Sequence, residues 1–592
     1  MQYIDLLKKY FGYDSFREGQ EEIIKSILSQ VDTLAIMPTG GGKSICYQIP
    51  SLILDGITIV ISPLISLMKD QVDGLNQIGI PSIFINSSLT RKELEKYYHE
   101  ILNNKYKIIY LAPERLENVE FLEKISQIKV SQVAIDEAHC ISQWGHDFRN
   151  SYLKILDFLN LLQERPIITA FTATATLKVK DDIIKQLKMK PNIFITGFDR
   201  KNLKYSIIKG ISSLEFIKNY LKEHKDESGI IYASTRKEVE KIHTELEKKG
   251  YNIGKYHAGL KDREREQYQN DFLNDNTPLI VATNAFGMGI DKSNVRFVIH
   301  NNLTKDLESY YQEAGRAGRD GLNSDCILIF NPKDISTQRF FIENSPFHSS
   351  EEILRRKYEK LNLMVNYCHT SNCIRSYVLE YFGEIPIENC NNCSNCLDQN
   401  EEIDITIIVQ KIVSCIGKTG MRYGINMIVG ILSGSKNKNL LNWNLDRQST
   451  YGVLSEYSQK EIRSYIDLLI GNGYLEITNG EYPIVQLKST AISFIKNKEN
   501  FYMKSIKIEK KVLSENIEVL IELKKIRKNI ATREKVPPFL IFSDKTLDEL
   551  STKLPQNKIE MLEISGVGEI KYKKYGAEFL EFISTIIPLE EE

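Results

Sequence analysis

No apolar run in this 592-residue chain approaches the ~20 residues that span a bilayer. The longest, "ITIVISPLISLM", stops well short. The opening "MQYIDLLKKYFGY" lacks the basic, apolar and small-residue sections of a secretory signal. The expected location is therefore the cytoplasm, with no membrane partner. Net charge is missing too: 77 Lys and Arg against 78 Asp and Glu leave −1. That excludes a globally basic nucleic-acid binder, although a basic groove can sit on a neutral protein. Cysteine is sparse at 9 residues, which excludes a disulfide framework. Tandem repeats and low-complexity tracts are also absent. What remains is ordinary for a globular protein, 42% hydrophobic and 26% charged. It is long enough for roughly three to five domains at ~150 residues each.

Short β-rich runs separated by helix-length intervals recur in two blocks. "TLAIM", "ITIVISP", "KIIYLAP", "QVAIDEA" and "IITAFTAT" fall between Thr33 and Thr174. "GIIYAS", "IGKYHA", "PLIVATN", "RFVIHNN" and "CILIFNP" fall between Gly229 and Pro332. Fully buried runs of this kind predict parallel sheets covered by helices, hence two α/β units in tandem. A charged helical stretch, "EEILRRKYEKLNLMVNYC", then leads to a cysteine cluster. Residues 405–495 alternate helices with a hairpin, "YLEITNGEYPIVQL", whose Asn479-Gly480 suits a type I′ turn. Lys-rich residues 495–511 read as a linker. The last 80 or so residues read as helical, broken at "VPPFLIFSD" and "SGVG".

In the first unit, "MPTGGGKS" follows a strand. Its glycines let backbone N–H groups turn toward phosphate, and the next helix offers its N-terminus to an anion. Thr39, Gly40 and Gly42 belong to that loop. Lys43 is placed to reach the β/γ-phosphates and the Ser44 hydroxyl to bind Mg²⁺. Met37 stands where the general motif has glycine. Asp136 and Glu137 in "IDEAH" close a strand: Asp136 suits Mg²⁺, and Glu137 suits orienting or deprotonating water. The second unit supplies Arg316 and Arg319 in "YYQEAGRAGRDG", spaced as on one helix face. They are candidate arginine fingers for γ-phosphoryl transfer, so ATP is expected between the two units.

Cys373, Cys390, Cys393 and Cys396 form C-x16-C-x2-C-x2-C. Four thiolates suit tetrahedral Zn²⁺, but the tight run also resembles part of an iron–sulfur ligand set, so spacing alone leaves both metals open.

The ordered set "FREGQ", "PTGGGKS", "DEAH", "TATAT", "VATNAFGMGID" and "QEAGRAGR" resembles a superfamily 2 helicase motor, and more closely the RecQ family of DNA helicases. The resemblance implies two tandem RecA-like parallel-sheet lobes, a zinc-binding helical subdomain, a winged-helix domain and a small helical C-terminal domain. The expected boundaries are 1–196, 197–335, 336–400, 401–496 and 510–592. It assigns Tyr13 to stacking on adenine and Arg17 and Gln20 to its edges. In "DEAHCISQWGHDFR" it implies that Trp144, His146, Phe148 and Arg149 contact single-stranded DNA and report to Asp136 and Glu137. It links Thr172 and Thr174 to lobe movement, and brings Gly287, Gly289 and Asp291 toward ATP and DNA. The position of the cysteine cluster, after the second lobe, implies zinc. Lys571, Lys573 and Lys574 beside Tyr572 and Tyr575 are a candidate DNA surface in the last domain.

The implied activity is ATP-dependent, 3′→5′ unwinding of duplex DNA by translocation on single-stranded DNA, in recombination and repair. Its cofactors are ATP, Mg²⁺ and Zn²⁺. Its location is bacterial-type cytoplasm, on the nucleoid when DNA is bound. Its expected protein partners, by the same resemblance, are a single-stranded-DNA-binding protein or other repair proteins. The rival expectation is an RNA-remodelling ATPase on the same motor. The cysteine cluster, winged helix and aromatic loop argue against it.

Overall fold

The computed structural model describes residues 2–586 apart from 87–88, 146, 210, 226, 288–291, 345–350, 399–401, 479–482 and 505–516. The first sheet contains β1 (Thr33–Ile36), β2 (Ile57–Ile61), β3 (Ser82–Ile85), β4 (Ile108–Leu111), β5 (Val130–Ile135), β6 (Ile167–Thr172) and β7 (Asn192–Ile195). They lie in the order β3-β4-β2-β5-β6-β1-β7, and every pair is parallel. The second contains β8 (Leu203–Lys209), β9 (Ser228–Tyr232), β10 (Ile253–Tyr256), β11 (Leu279–Ala282), β12 (Val295–His300) and β13 (Ser324–Phe330). Their order is β10-β11-β9-β12-β13-β8, again parallel throughout.

Every residue of β1, β2 and β4 is buried, as expected of central strands covered on both faces. All ten apolar runs named above are strands. Three strands of these two sheets escaped the sequence reading: β3, β7 and β8. β7 is an edge strand with Ile193 and Ile195 exposed, so burial never selected a continuous apolar run there. β8 mixes Lys and Ser with its apolar residues.

The order puts the carboxyl ends of β1 and β5, which carry the phosphate loop and the Asp-Glu pair, on one edge of the first sheet. Open α/β sheets bind ligands outside such ends. The helix Glu351–His369 and the four cysteines follow the second sheet, and their buried side chains join one core with both lobes.

A separate core is built on the helices Thr406–Lys418, Ile425–Ser433 and Gln459–Gly471 with β15 (Leu475–Ile477) antiparallel to β16 (Val485–Leu487). The Asn479-Gly480 turn lies outside the described residues. The expected linker over 495–511 needs correction up to residue 504, while 505–511 lie outside the described residues. Residues Tyr502–Lys504 form β17, antiparallel to β14 (Glu402–Asp404), and the helix Ser489–Asn497 precedes them. Phe501 is the reason: its ring is buried in this core, and its N–H donates to Thr406 Oγ1 at 2.8 Å. A final helical unit, Ile517–Ile586, has its own core. It touches both lobes. Gly566 N–H donates to Gly12 O at 3.0 Å, and Arg527 stands 3.7 Å from Asp275.

Gly229 on β9 lies beneath the ring of its register partner Phe297 on β12. A Cβ there would stand 2.0–2.5 Å from three ring atoms. Gly229→Ala is therefore expected to destabilise the second lobe by about 1–3 kcal/mol, seen as a lowered thermal midpoint. An unchanged midpoint would show that Phe297 moves aside without cost.

Candidate active site and metal centre

One cleft between the lobes gathers residues distant in sequence. It is lined by Tyr13, Arg17, Gln20, Thr39, Gly40, Gly42, Lys43, Ser44, Asp136 and Glu137 from the first lobe, and by Arg316 and Arg319 from the second. All of these were named from sequence. Gly289 and Asp291 lie outside the described residues. His139, Asp147, Gln71 and Gln312 also line the cleft and were not anticipated as site residues. His139 could have been found as the last letter of "DEAH". Gln312 lies on the helix Leu307–Ala314, four residues before Arg316.

The phosphate loop is backbone-built. Gly40 and Gly42 have φ of +75° and +81°, which side-chain-bearing residues rarely adopt. A Cβ on Gly42 would stand 2.3 Å from Gln20 Nε2. Gln20 Nε2 donates to the carbonyls of Gly41 and Gly42, each at 3.1 Å, while Arg17 Nη1 donates to Gly40 O. The Tyr13–Gln20 segment is thus tied to the loop by side-chain donors. The loop ends where the helix Lys43–Ile53 begins, leaving that helix N-terminus facing the cleft.

Asp136 and Glu137 leave β5 through a strained turn, Glu137 having φ +47°. Asp136 is held at both ends: its N–H donates to Ile61 O at 2.9 Å, and its carbonyl accepts from Tyr152 Oη at 2.9 Å. Burial, followed by the adjacent Glu137 carboxylate, pushes Asp136 up to about 7. Two neighbouring acids in so dry a place call for a cation. With the Ser44 hydroxyl beside them, they offer the hard oxygen donors that Mg²⁺ prefers. His139 Nδ1 lies 3.3 Å from Glu137 Oε2 and 2.9 Å from Thr172 Oγ1, and Thr172 Oγ1 accepts from Thr174 N–H at 3.2 Å.

The aromatic loop packs against this group. A Cβ on Gly145 would stand 2.4 Å from His139 O, so the chain passes directly over that histidine. Arg149 donates to Asp147, a cleft residue, at 3.1 Å and to Pro63 O at 2.9 Å. Phe148 is half-buried. Trp144 is half-buried too, with Lys178 Nζ 3.1 Å and Arg356 Cζ 3.2 Å from its ring centroid. Two groups at that height cannot share one face, so each covers its own. His146 lies outside the described residues.

One expectation about the arginines is corrected. They are not on one helix face: the helix Leu307–Ala314 stops before them, and Arg316 and Arg319 sit in the turns beyond it. Gly318, at φ +56°, lets the chain turn there. The candidate DNA surface in the last unit is also less open than its sequence suggests. Tyr575 is buried, and Lys574 Nζ donates to Gln77 O of the first lobe at 2.6 Å.

At the metal centre, the sulfurs of Cys373, Cys390, Cys393 and Cys396 all lie within 4.8 Å of one another, with Cys390 and Cys396 3.9 Å apart. Tetrahedral Zn²⁺ with bonds of ~2.3 Å sets sulfurs about 3.8 Å apart. The backbone N–H groups of Ser376, Asn392 and Cys396 donate to Cys373, Cys390 and Cys393, each at 3.4 Å, which favours thiolates. Burial first, and then the neighbouring cysteines, push Cys390 up, and Cys396 up to about 11. A bound dication reverses that preference. The residues fit zinc.

Two parallel-sheet lobes that close a phosphate loop, an acid pair and two arginines into one cleft define an ATP-driven motor of the helicase class. Family models match along the chain: DEAD/DEAH box helicase over residues 17–183, helicase conserved C-terminal domain over 212–321, RecQ zinc-binding over 332–397, RQC domain over 399–512 and HRDC domain over 517–583. The chain is 47% identical to the ATP-dependent DNA helicase RecQ of Bacillus subtilis, covering 98% of both chains. It is 38% identical to the protein of that name from Haemophilus influenzae, covering 98% of this chain and 95% of the other. It is 34% identical to the RecQ-like DNA helicase BLM of Xenopus laevis over 98% of this chain and 46% of that one. The chain belongs to the RecQ family of helicases.

The purified protein is expected to carry zinc in this one four-cysteine site. Cys393→Ser should lose it and lower the thermal midpoint, as read by metal analysis and unfolding. Iron in place of zinc, or full metal retention in the variant, would refute the assignment.

Proposed function

We propose that this protein hydrolyses ATP between its two lobes and converts the lobe movement into 3′→5′ travel on single-stranded DNA, separating duplex strands in recombination and repair. The observation that carries the reading is the cleft itself, in which anion-binding backbone and acids from one lobe face arginines from the other. The enzyme is an ATP-dependent DNA helicase with Mg²⁺ and Zn²⁺ as its metals. In this reading Tyr13 stacks on adenine, with Arg17 and Gln20 at its edges. Lys43 holds the β/γ-phosphates, and Ser44 and Asp136 hold Mg²⁺, which neutralises phosphate charge when bound. Glu137 positions the attacking water and takes its proton. Arg316 and Arg319 stabilise the charge that develops on the γ-phosphoryl group.

Trp144, Phe148 and Arg149 are assigned to single-stranded DNA. Support comes from the packing of their loop on His139, the neighbour of Glu137 and Thr172. A base stacking on Trp144 must replace Lys178 or Arg356, and the loop shift that follows acts at His139, two residues past Glu137. Stacking of this kind is worth ~1–3 kcal/mol per base. The winged-helix unit holds duplex, mainly through phosphates. The domains are read as 1–196, 197–335, 336–400, 401–496 with its β17 extension to 504, and 510–592. The protein works in the cytoplasm on the nucleoid, with a single-stranded-DNA-binding protein or other repair proteins as partners.

The test is steady-state ATP hydrolysis alone, with single-stranded DNA and with matched RNA. DNA should stimulate strongly and RNA should not; RNA stimulation of equal size would favour the RNA-remodelling alternative. Glu137→Gln should bind ATP and hydrolyse it about 10²–10⁴-fold more slowly. Trp144→Ala and Phe148→Ala should keep nucleotide binding and lose most of the DNA response. Full stimulation in both would refute the coupling through this loop.

A further inference from the structure

The segment between the two sheets, "GFDRKN" at 197–202, carries a cation that no motif above accounts for. Arg200 is buried, at 8% exposure. Among the described residues none of its hydrogen-bond partners is a carboxylate. A guanidinium has five N–H donors, and here each has an acceptor. Nε donates to Asn202 Oδ1 at 3.4 Å. Nη2 donates to the carbonyls of Ala317 at 3.1 Å and Gly318 at 2.8 Å. Nη1 donates to Gly315 O at 3.3 Å and to Thr39 O. The carbonyls at 315, 317 and 318 are the backbone immediately around Arg316 and Arg319. The fourth, Thr39, belongs to the phosphate loop of the other lobe.

The contact is as close as backbone allows. A Cβ on Gly315 would stand 2.0 Å from Thr39 Oγ1, and one on Gly40 would stand 3.2 Å from Arg200 Nη1 and 3.4 Å from Arg319 Cα. Arg200 is itself anchored from behind. Arg375, two residues past the zinc ligand Cys373, donates to the carbonyls of Arg200 at 2.8 Å and Leu203 at 2.5 Å, and pairs with Asp199 at 2.5 Å. Asn202 Nδ2 adds bonds to Gly318 O at 2.9 Å and Leu322 O at 2.8 Å. Arg200 is therefore fixed to the second lobe by many bonds and to the first by one. Lobe opening breaks the bond to Thr39 and leaves the others.

We infer that Arg200 is a positioning residue for hydrolysis: it shapes the turn that presents Arg316 and Arg319, and its bond to Thr39 sets that turn in register with the phosphate loop when the lobes close. This rests on the reading that Arg316 and Arg319 face ATP. It explains why arginine stands here. A lysine has three donors and no planar fork, so it cannot make all five of these bonds.

The test compares Arg200→Lys, Arg200→Gln and Arg319→Ala with the parent protein. The readouts are ATP hydrolysis at saturating single-stranded DNA, affinity for a fluorescent ATP analogue, and thermal midpoint. For folded Arg200 variants, kcat should fall about ten- to hundredfold, with Lys milder than Gln. KM and analogue affinity should stay within about threefold, because the contact belongs to the closed arrangement rather than to nucleotide capture. A purely structural arginine would instead lower the midpoint and weaken binding and kcat together. That result, or unchanged kcat in both variants, overturns the inference. If Arg319→Ala also hydrolyses normally, the reading of the cleft fails as well; if it is impaired while the Arg200 variants are not, only the role of Arg200 fails.

Discussion

Stabilising a transferring γ-phosphoryl group takes well-placed positive charge, and in this protein the cations that line the cleft belong to different lobes. Lys43 and the glycine loop come from the first lobe, and Arg316 and Arg319 from the second. Neither lobe holds the full complement, so the chemistry proposed here depends on how the lobes sit together. Charge stabilisation of this kind is strongest when donors are already aimed at the transition state. Much of the remaining structure serves that aim: Gln20 and Arg17 tie down the phosphate loop, and Arg200 and Asn202 tie down the arginine turn.

The four-cysteine centre belongs to the same arrangement. It follows the second lobe in sequence but packs on the start of it. Cys393 bridges to Tyr205 on β8, and Asn392 Nδ2 donates to the carbonyls of Lys201 at 3.0 Å and Leu203 at 3.2 Å. Arg375, just past Cys373, grips the same stretch. Metal binding at such a site is folding free energy. A metal bound here would help to hold the interlobe segment 199–203, which carries Arg200 toward the phosphate loop. Zinc bound by these cysteines would support the nucleotide cleft from outside it.

Legibility in the sequence followed how local each signal was. Central strands were plain because burial on both faces forces continuous apolar runs; β7 was not, because an edge strand with Ile193 and Ile195 exposed carries no such pattern. The phosphate loop, the Asp-Glu pair and the cysteines were plain because their chemistry fixes residue type and spacing. Arg316 and Arg319 were picked out as facing the first lobe and do line the cleft, but on a different backbone: three-residue spacing suits a helix face, whereas the helix ends at Ala314 and both lie in the turns around Gly315 and Gly318. The partners of Arg200 are carbonyls, which leave no trace in residue identity. Nor could sequence reveal that Trp144 stacks with Lys178 and Arg356, which lie 34 and 212 residues away along the chain.

If the cleft works as proposed, nucleotide state sets the arrangement of the lobes. The most direct measurement is the distance between them, by energy transfer between dyes placed at Lys185 and Lys241, exposed residues on helices of the first and second lobes. It should be read with single-stranded DNA bound, in the nucleotide-free, non-hydrolysable-analogue and ADP states. One distance distribution is expected with the analogue and a different one after hydrolysis to ADP. The same distribution in all three states, in a preparation that hydrolyses ATP, would contradict it.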